Sequence, residues 1–232
     1  VPQKKEEEKM KPKRIILIRH GESEGNVDKT IYTRKPDWKL ELTSVGKLQA
    51  QNALEAYKII IEKIEEDDYV RYHVRADGKN TMAYCSPLVR AVETLEPFKP
   101  ITYKTHYDPR IREQEWGNFQ QTLTKEIREE RYKFGSFFYR FPFGESGADV
   151  YDRISSFFDT MYRDFEKKEF PINALISTHG LTAKVFLMRW LHWSVEEFEY
   201  YDTPDNCQLL IMERDPFTDK YNLITKLIPM ER

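Results

Sequence analysis

Residues 14–19, RIILIR, are apolar on both faces and run without a linker into His20, Gly21 and Glu22. A strand with no polar face is buried on both sides, as in a central parallel strand covered by helices. The arrangement returns at 173–180, NALISTHG, where an apolar run delivers His179 and Gly180 into a stretch with helical character. Two such strands restrict the chain to an α/β class: a three-layer sandwich with a mostly parallel central sheet and helices on both faces.

Between them the pattern alternates. Thr43 has the chemistry of an N-cap for a helix carrying Leu48, Leu54, Tyr57, Ile60, Ile61 and Ile64. MAYCSP predicts a strand ending at Ser86, and Pro87 suits the first turn of a helix over 88–96. A third strand is expected near 101–104, then a loop, DPRIREQEWGNFQ. Val150, Ile154, Phe157, Phe158, Met161 and Phe165 fall at helical spacing within 147–168, and 206–213 and 221–228 alternate like two late strands.

Length and charge narrow the function classes. A chain of 232 residues suffices for one sizeable core. With 37 Lys plus Arg against 39 Asp plus Glu, the net charge of −2 provides no field for nucleic acid or an anionic membrane, so any basic feature must be local. Two cysteines, Cys85 and Cys207, are too few for a disulfide framework and fit a reducing compartment, the cytoplasm. The opening VPQKKEEEKMKPK has no apolar stretch, so no signal peptide is expected, and no later run approaches a membrane span. Val at position 1 points to a processed or engineered end, and residues 1–13 are expected to be a disordered charged tail.

Ligands of open parallel sheets bind beyond the carboxyl ends of the strands. Three such ends carry polar side chains here: Arg19 with His20, Ser86 with Arg90 a turn later, and His179. Two imidazoles and two guanidinium groups at one edge would attract a dianion, and the planar Arg fork matches phosphate oxygens. Other chemistries fit less well. CSPLVR, 85–90, places four residues between Cys and Arg where a cysteine-dependent phosphatase loop has five, and it lacks the glycine of that loop. A metal site on His20, Glu22, Glu24, Asp28 and His179 has no spacing that fixes a geometry, with Arg19 beside it. No G-x-S-x-G elbow supports a Ser-His-Asp site.

IRHGESEGN (18–26), SPLVRAVET (86–94), RIREQEWGNFQ (110–120), GESGADVYDRI (144–154) and STHG (177–180), in this order, resemble the histidine phosphatase superfamily, the phosphoglycerate mutase-like fold. REQEWGNFQ and FGSFFYRFPFGESGADVYDR are most similar to the phosphoglycerate mutase-like phosphatases of plants and fungi. The resemblance implies one domain over 14–232 with a short aromatic cap insertion at about 118–145. It implies a metal-independent phosphomonoesterase without cofactor, in which His20 attacks phosphorus and becomes a phosphohistidine. Arg19, Arg90 and His179 would cradle the phosphoryl oxygens, and Asn26 matches a further neutral donor. Glu113 matches the proton donor that later activates water, and the charge of a bound phosphate would favour its protonated form. Pairing of Glu113 with Arg110 or Arg112, and a capping or salt-bridging role for Glu145, are the structural alternatives.

Substrates of this description are small phosphomonoesters or phosphoproteins. In RYKFGSFFYRFPF, 131–143, the aromatics either pack on the core or meet an apolar part of the substrate, Phe137 and Phe138 included, with Arg140 steering a second anion. Tyr32 and Thr33 are placed at the same mouth. A cofactor-dependent phosphoglycerate mutase would share the pocket, but that branch carries a longer insertion than the stretch between Gly117 and Glu145 allows. A catalytically weak phospholigand-binding adaptor is the third reading, opposed by the filled positions Arg19, His20, Arg90, Glu113 and His179.

Overall fold

The computed structural model describes residues 11–117 and 125–230. In chain order the elements are β1 (Arg14–Arg19), α1 (Glu24–Val27), α2 (Ser44–Ile61), α3 (Glu66–Arg71), β2 (Thr81–Cys85), α4 (Val89–Leu95), β3 (Thr102–Tyr107), α5 (Lys125–Phe134), α6 (Gly147–Phe165), β4 (Asn173–Thr178), α7 (Gly180–Leu191), α8 (Val195–Tyr200), β5 (Leu209–Arg214) and β6 (Tyr221–Leu223). The strands form one sheet in the order β3-β2-β4-β1-β5-β6. β1 to β4 run parallel, and β5 and β6 are added antiparallel.

The doubly apolar reading of β1 has a direct structural meaning. Ile15 and Leu17 join the core under α6 and α7, whereas Ile16 and Ile18 join the core under α2 and α4. Helices therefore cover both faces, and all four parallel strands open at one edge. Every apolar residue expected of α6 is buried. Its side chains meet α7 through Phe158 and Phe186, whose ring centroids are 4.7 Å apart.

Some expectations need correction. Leu48 is 61% exposed, because α2 seats its other face, Gly46, Ala50, Ala53, Leu54 and Tyr57. The third strand is Thr102–Tyr107, longer than expected, since the polar TYKTHY lies at the sheet edge where a solvated face is tolerated. The late strands are shorter than 206–213 and 221–228, and α6 stops at Phe165. The expected tail over 1–13 is ordered at its end: Pro12 and Lys13 are buried, and Lys13 Nζ lies 2.7 Å from Asp68 Oδ2. Residues 1–10 lie outside the described residues. Among the described residues, no helix is long and apolar enough to cross a membrane.

The segment after β1 is held tightly. A Cβ on Gly46 would sit 2.0 Å from the Glu22 carbonyl oxygen, and one on Gly21 would sit 2.6 Å from that of Gly46. Only two glycines let the start of α2 press against the loop that carries His20. Thr43 caps α2 by accepting from the Gly46 amide, and it donates to Glu22 Oε1 at 2.7 Å.

Candidate active site

The strand ends bring the expected charged residues together. Arg19, His20, Asn26, Arg90 and Glu113 line one open cleft of about 360 Å³. His179 is fully buried beside it, with its ring edge-on to that of His20 at 5.2 Å between centroids.

Each imidazole is oriented by a neighbour. His20 Nδ1 lies 2.7 Å from the Gly21 carbonyl oxygen. A carbonyl can only accept, so Nδ1 carries the proton and Nε2 keeps its lone pair. The His20 carbonyl in turn accepts from Asn206 Nδ2 at 2.8 Å. His179 Nε2 is 2.7 Å from Ser86 Oγ, and its Nδ1 is buried without a hydrogen-bond partner among the described residues. When Ser86 donates to Nε2, Nδ1 becomes a donor toward a ligand. Burial, followed by the charge of Arg90, holds both histidines well below the usual imidazole range.

The arginines are anchored differently. Arg19 donates to the Pro204 carbonyl at 2.6 Å, while its Nε is buried and unpartnered among the described residues. Burial lowers its pKa, with Glu113 and Asp205 opposing. Arg90, 4% exposed, donates to the Asp37 carbonyl at 2.9 Å and to that carboxylate at 3.0 and 3.3 Å. A fork-to-fork pair of this kind fixes the plane of the guanidinium.

Asn26 Oδ1 accepts from the Ser23 amide at 2.9 Å and from the Ser23 hydroxyl at 3.0 Å, so the amide nitrogen is the group left to donate. Glu113 lies in the loop after β3 and extends its carboxylate to the start of α7, where Oε1 accepts from the Thr182 hydroxyl at 3.1 Å and the Thr182 amide at 3.3 Å. It is thus tied to a helix N-terminus rather than to Arg110 or Arg112. Arg110 pairs instead with Asp108 at 2.6 Å, and Arg112 with Glu145 at 2.9 Å. Glu145 fastens the loop: it also accepts from Arg153 and from the Glu115 amide, and Arg153 reaches the Glu113 carbonyl.

The residues expected at the mouth divide. Tyr32 lines the cleft and leans toward Trp116 at 6.4 Å, and burial raises its phenol pKa. Thr33 is exposed and turned back to the Thr30 carbonyl. Arg140 is also turned away: it is exposed and pairs with Asp149 at 2.7 Å, because the tight turn before α6 brings it over that helix. Phe137 is core, packed against Phe198 at 5.5 Å, and Phe138 is 62% exposed. Residues 118–124 of the expected cap lie outside the described residues.

Several residues were not singled out from the sequence. Trp116, Lys29, Arg131 and Lys184 line the cleft, and Asp37 holds Arg90. Lys184 had a readable signal, being the one charged residue between His179 and Arg189 in an apolar helix. Arg131 and Asp37 sit in polar surroundings that hide them.

The geometry also bears on the rival chemistries. Cys85 is buried in β2, where burial pushes its thiol up to about 12, far from a thiolate nucleophile. Among the described residues, no three His, Cys, Asp or Glu side chains gather as a metal site.

Residues 15–225 match the histidine phosphatase superfamily (branch 1). The phosphoglycerate mutase-like protein AT74 of Arabidopsis thaliana is 42% identical over 220 residues, which cover 88% of this chain and 66% of that protein. The chain thus spans just under two thirds of that relative's length. The broad-range acid phosphatase DET1 of Saccharomyces cerevisiae is 30% identical over 302 aligned positions, covering 94% of this chain and 90% of that protein. The solved structure of the open reading frame Rv3214 from Mycobacterium tuberculosis superposes with a TM-score of 0.66 at 20% identity, over 93% of this chain and 97% of that one. This likeness establishes the fold.

Proposed function

The chain belongs to the histidine phosphatase superfamily, and on that premise we propose that it hydrolyses phosphomonoesters through a phosphohistidine on His20. One observation carries the reading: His20 Nδ1 is committed to the Gly21 carbonyl, so Nε2 is a neutral nucleophile in a cleft lined by cations.

The steps follow from the groups present. The phosphoryl oxygens lie against Arg19, Arg90, Asn26 and His179 Nδ1, donors placed before charge develops on them. Nε2 attacks phosphorus, the N–P bond forms, and the P–O bond to the leaving group breaks. Glu113 gives its proton to the departing oxygen. Water then attacks phosphorus and passes its proton to Glu113, the N–P bond breaks, and inorganic phosphate leaves. Two displacements replace one, with a lower barrier for each. The likeness to DET1, a broad-range acid phosphatase, supports hydrolysis as the outcome.

The low proton affinity of His20 sets the pH dependence. A nucleophile held well below 6.5 stays neutral in mild acid, so kcat/KM is retained as pH falls through 6.5. The test is hydrolysis of para-nitrophenyl phosphate in chelator from pH 4 to 8. It is run beside isomerisation of 3-phosphoglycerate with and without 2,3-bisphosphoglycerate. Chelator-resistant hydrolysis with no acid limb near 6.5 and negligible isomerisation is expected. Isomerisation exceeding hydrolysis would make the chain a mutase, and phosphate binding without turnover would make it an adaptor.

A further inference from the structure

The cleft holds more positive charge than one phosphoryl group needs. Among the described residues its lining includes Arg19, Lys29, Arg90, Arg131 and Lys184 against one carboxylate, Glu113, and of these cations Arg90 is paired with Asp37. Arg19 and Arg90 flank His20 and suffice for a phosphate dianion. Arg131 on α5 and Lys184 on α7 serve no step of that reaction.

Both cations are held by neutral partners. The Arg131 guanidinium lies over the Phe141 ring, 5.4 Å from its centroid, and reaches Gln114 Oε1 at 3.5 Å. Its Nε is buried without a hydrogen-bond partner among the described residues. Lys184 is 4% exposed, donates to the Tyr201 carbonyl at 2.5 Å, and sits 4.3 Å from the centroid of the Phe198 ring. Among the described residues no carboxylate comes within ion-pair distance of either cation; Glu199 and Asp202 act on Lys184, and Glu113 and Glu199 on Arg131, only from farther off. Glu199 Oε1 accepts from the Phe137 amide at 2.7 Å, and Glu113 is bound to Thr182.

A buried cation with no carboxylate in contact is costly to keep. The cost is visible in Lys184, whose ammonium burial brings down to about 8. Two such groups in the cleft of the nucleophile are accounted for when a ligand supplies an anion in direct contact with them.

We infer that Arg131 and Lys184 form a second anion subsite, so that preferred substrates are phosphomonoesters bearing another anionic group on the leaving portion. This inference rests on the reading that the His20 pocket holds the phosphoryl group. It moves the second-anion role expected of Arg140 to residues that face the cleft. Arg131 provides planar donors from an anchored guanidinium, and Lys184 provides a point charge.

Calorimetric binding tests it without turnover. Methylphosphonate occupies the phosphoryl pocket alone, carboxyalkyl phosphonates of one to three methylenes add a carboxylate, and alkane bisphosphonates of the same lengths add a second phosphonate. At the best spacer, a two-anion ligand is expected to bind wild type about tenfold or more tighter than methylphosphonate. That ratio should drop below about threefold in Arg131→Gln and in Lys184→Met, and recover in part in Arg131→Lys. An advantage for carboxyalkyl phosphonates, for bisphosphonates or for both supports the subsite and identifies the group it takes. Methylphosphonate binding with no two-anion advantage, or an advantage that both variants retain, overturns the subsite alone. No methylphosphonate binding at all overturns the phosphoryl pocket and the subsite with it.

Discussion

His20→Ala is expected to lower kcat/KM for every phosphomonoester by about 10⁴-fold or more, the scale that deleting the proposed covalent nucleophile implies. On the proposed mechanism Arg19, Arg90, Asn26 and His179 would still bind phosphate, but nothing would remain to form the N–P bond. Loss of the ring also frees the Gly21 carbonyl, which His20 Nδ1 occupies at 2.7 Å. His20→Gln separates the two effects, because its amide can donate to that carbonyl without offering a nucleophile. Both variants should be equally inactive while retaining phosphate binding. Activity within tenfold of wild type in either would mean that water attacks phosphorus directly.

Glu113→Gln has an effect that depends on the leaving group. An alkoxide needs a proton as the P–O bond breaks, so kcat/KM for an alkyl phosphate should fall about 10²- to 10³-fold. Nitrophenolate departs without one, and kcat/KM for para-nitrophenyl phosphate should fall less than about tenfold. The proposed second half-reaction would still lack its base, so phosphoenzyme should accumulate and para-nitrophenyl phosphate should give a burst of nitrophenolate before a slow steady state. The side chain of the variant can still accept from Thr182, as Glu113 Oε1 does at 3.1 Å, which keeps its placement. Equal losses on both substrates, without a burst, would assign Glu113 to positioning rather than proton transfer.

The parts of this site that were legible in the sequence are those carried by strands. RIILIR and NALIST are buried on both faces, so their sheet positions were readable, and with them the common edge at which Arg19, His20 and His179 emerge. Ser86, expected at the end of its strand, contacts His179. Arg90 was legible from its place a turn after Ser86 and Glu113 through motif resemblance, and both line the cleft.

What was hidden depends on how loops and helices turn in three dimensions. Arg140 and Arg131 are nine residues apart in one aromatic stretch, and nothing in its composition says which faces inward. Arg140 follows the turn to Asp149, whereas Arg131, on the helical turn before it, enters the cleft. Likewise Phe137 and Phe138 are adjacent, yet one is core and the other solvent-facing. Asp37 lies 53 residues from the arginine that it clamps, a separation no local pattern records. Leu48 failed as a core residue because close contact at Gly46, rather than bulk, seats the start of α2.

The most direct test of the account is to trap the covalent intermediate. Wild-type enzyme mixed with ³²P-labelled phosphomonoester and quenched in alkali within milliseconds should carry label that is stable to base and labile to acid, and peptide mapping should place it on Nε2 of His20. Glu113→Gln should retain more label than wild type, and His20→Gln should retain none. Label on Cys85 or a carboxylate, or turnover with no labelled enzyme at any quench time, would contradict a phosphohistidine mechanism.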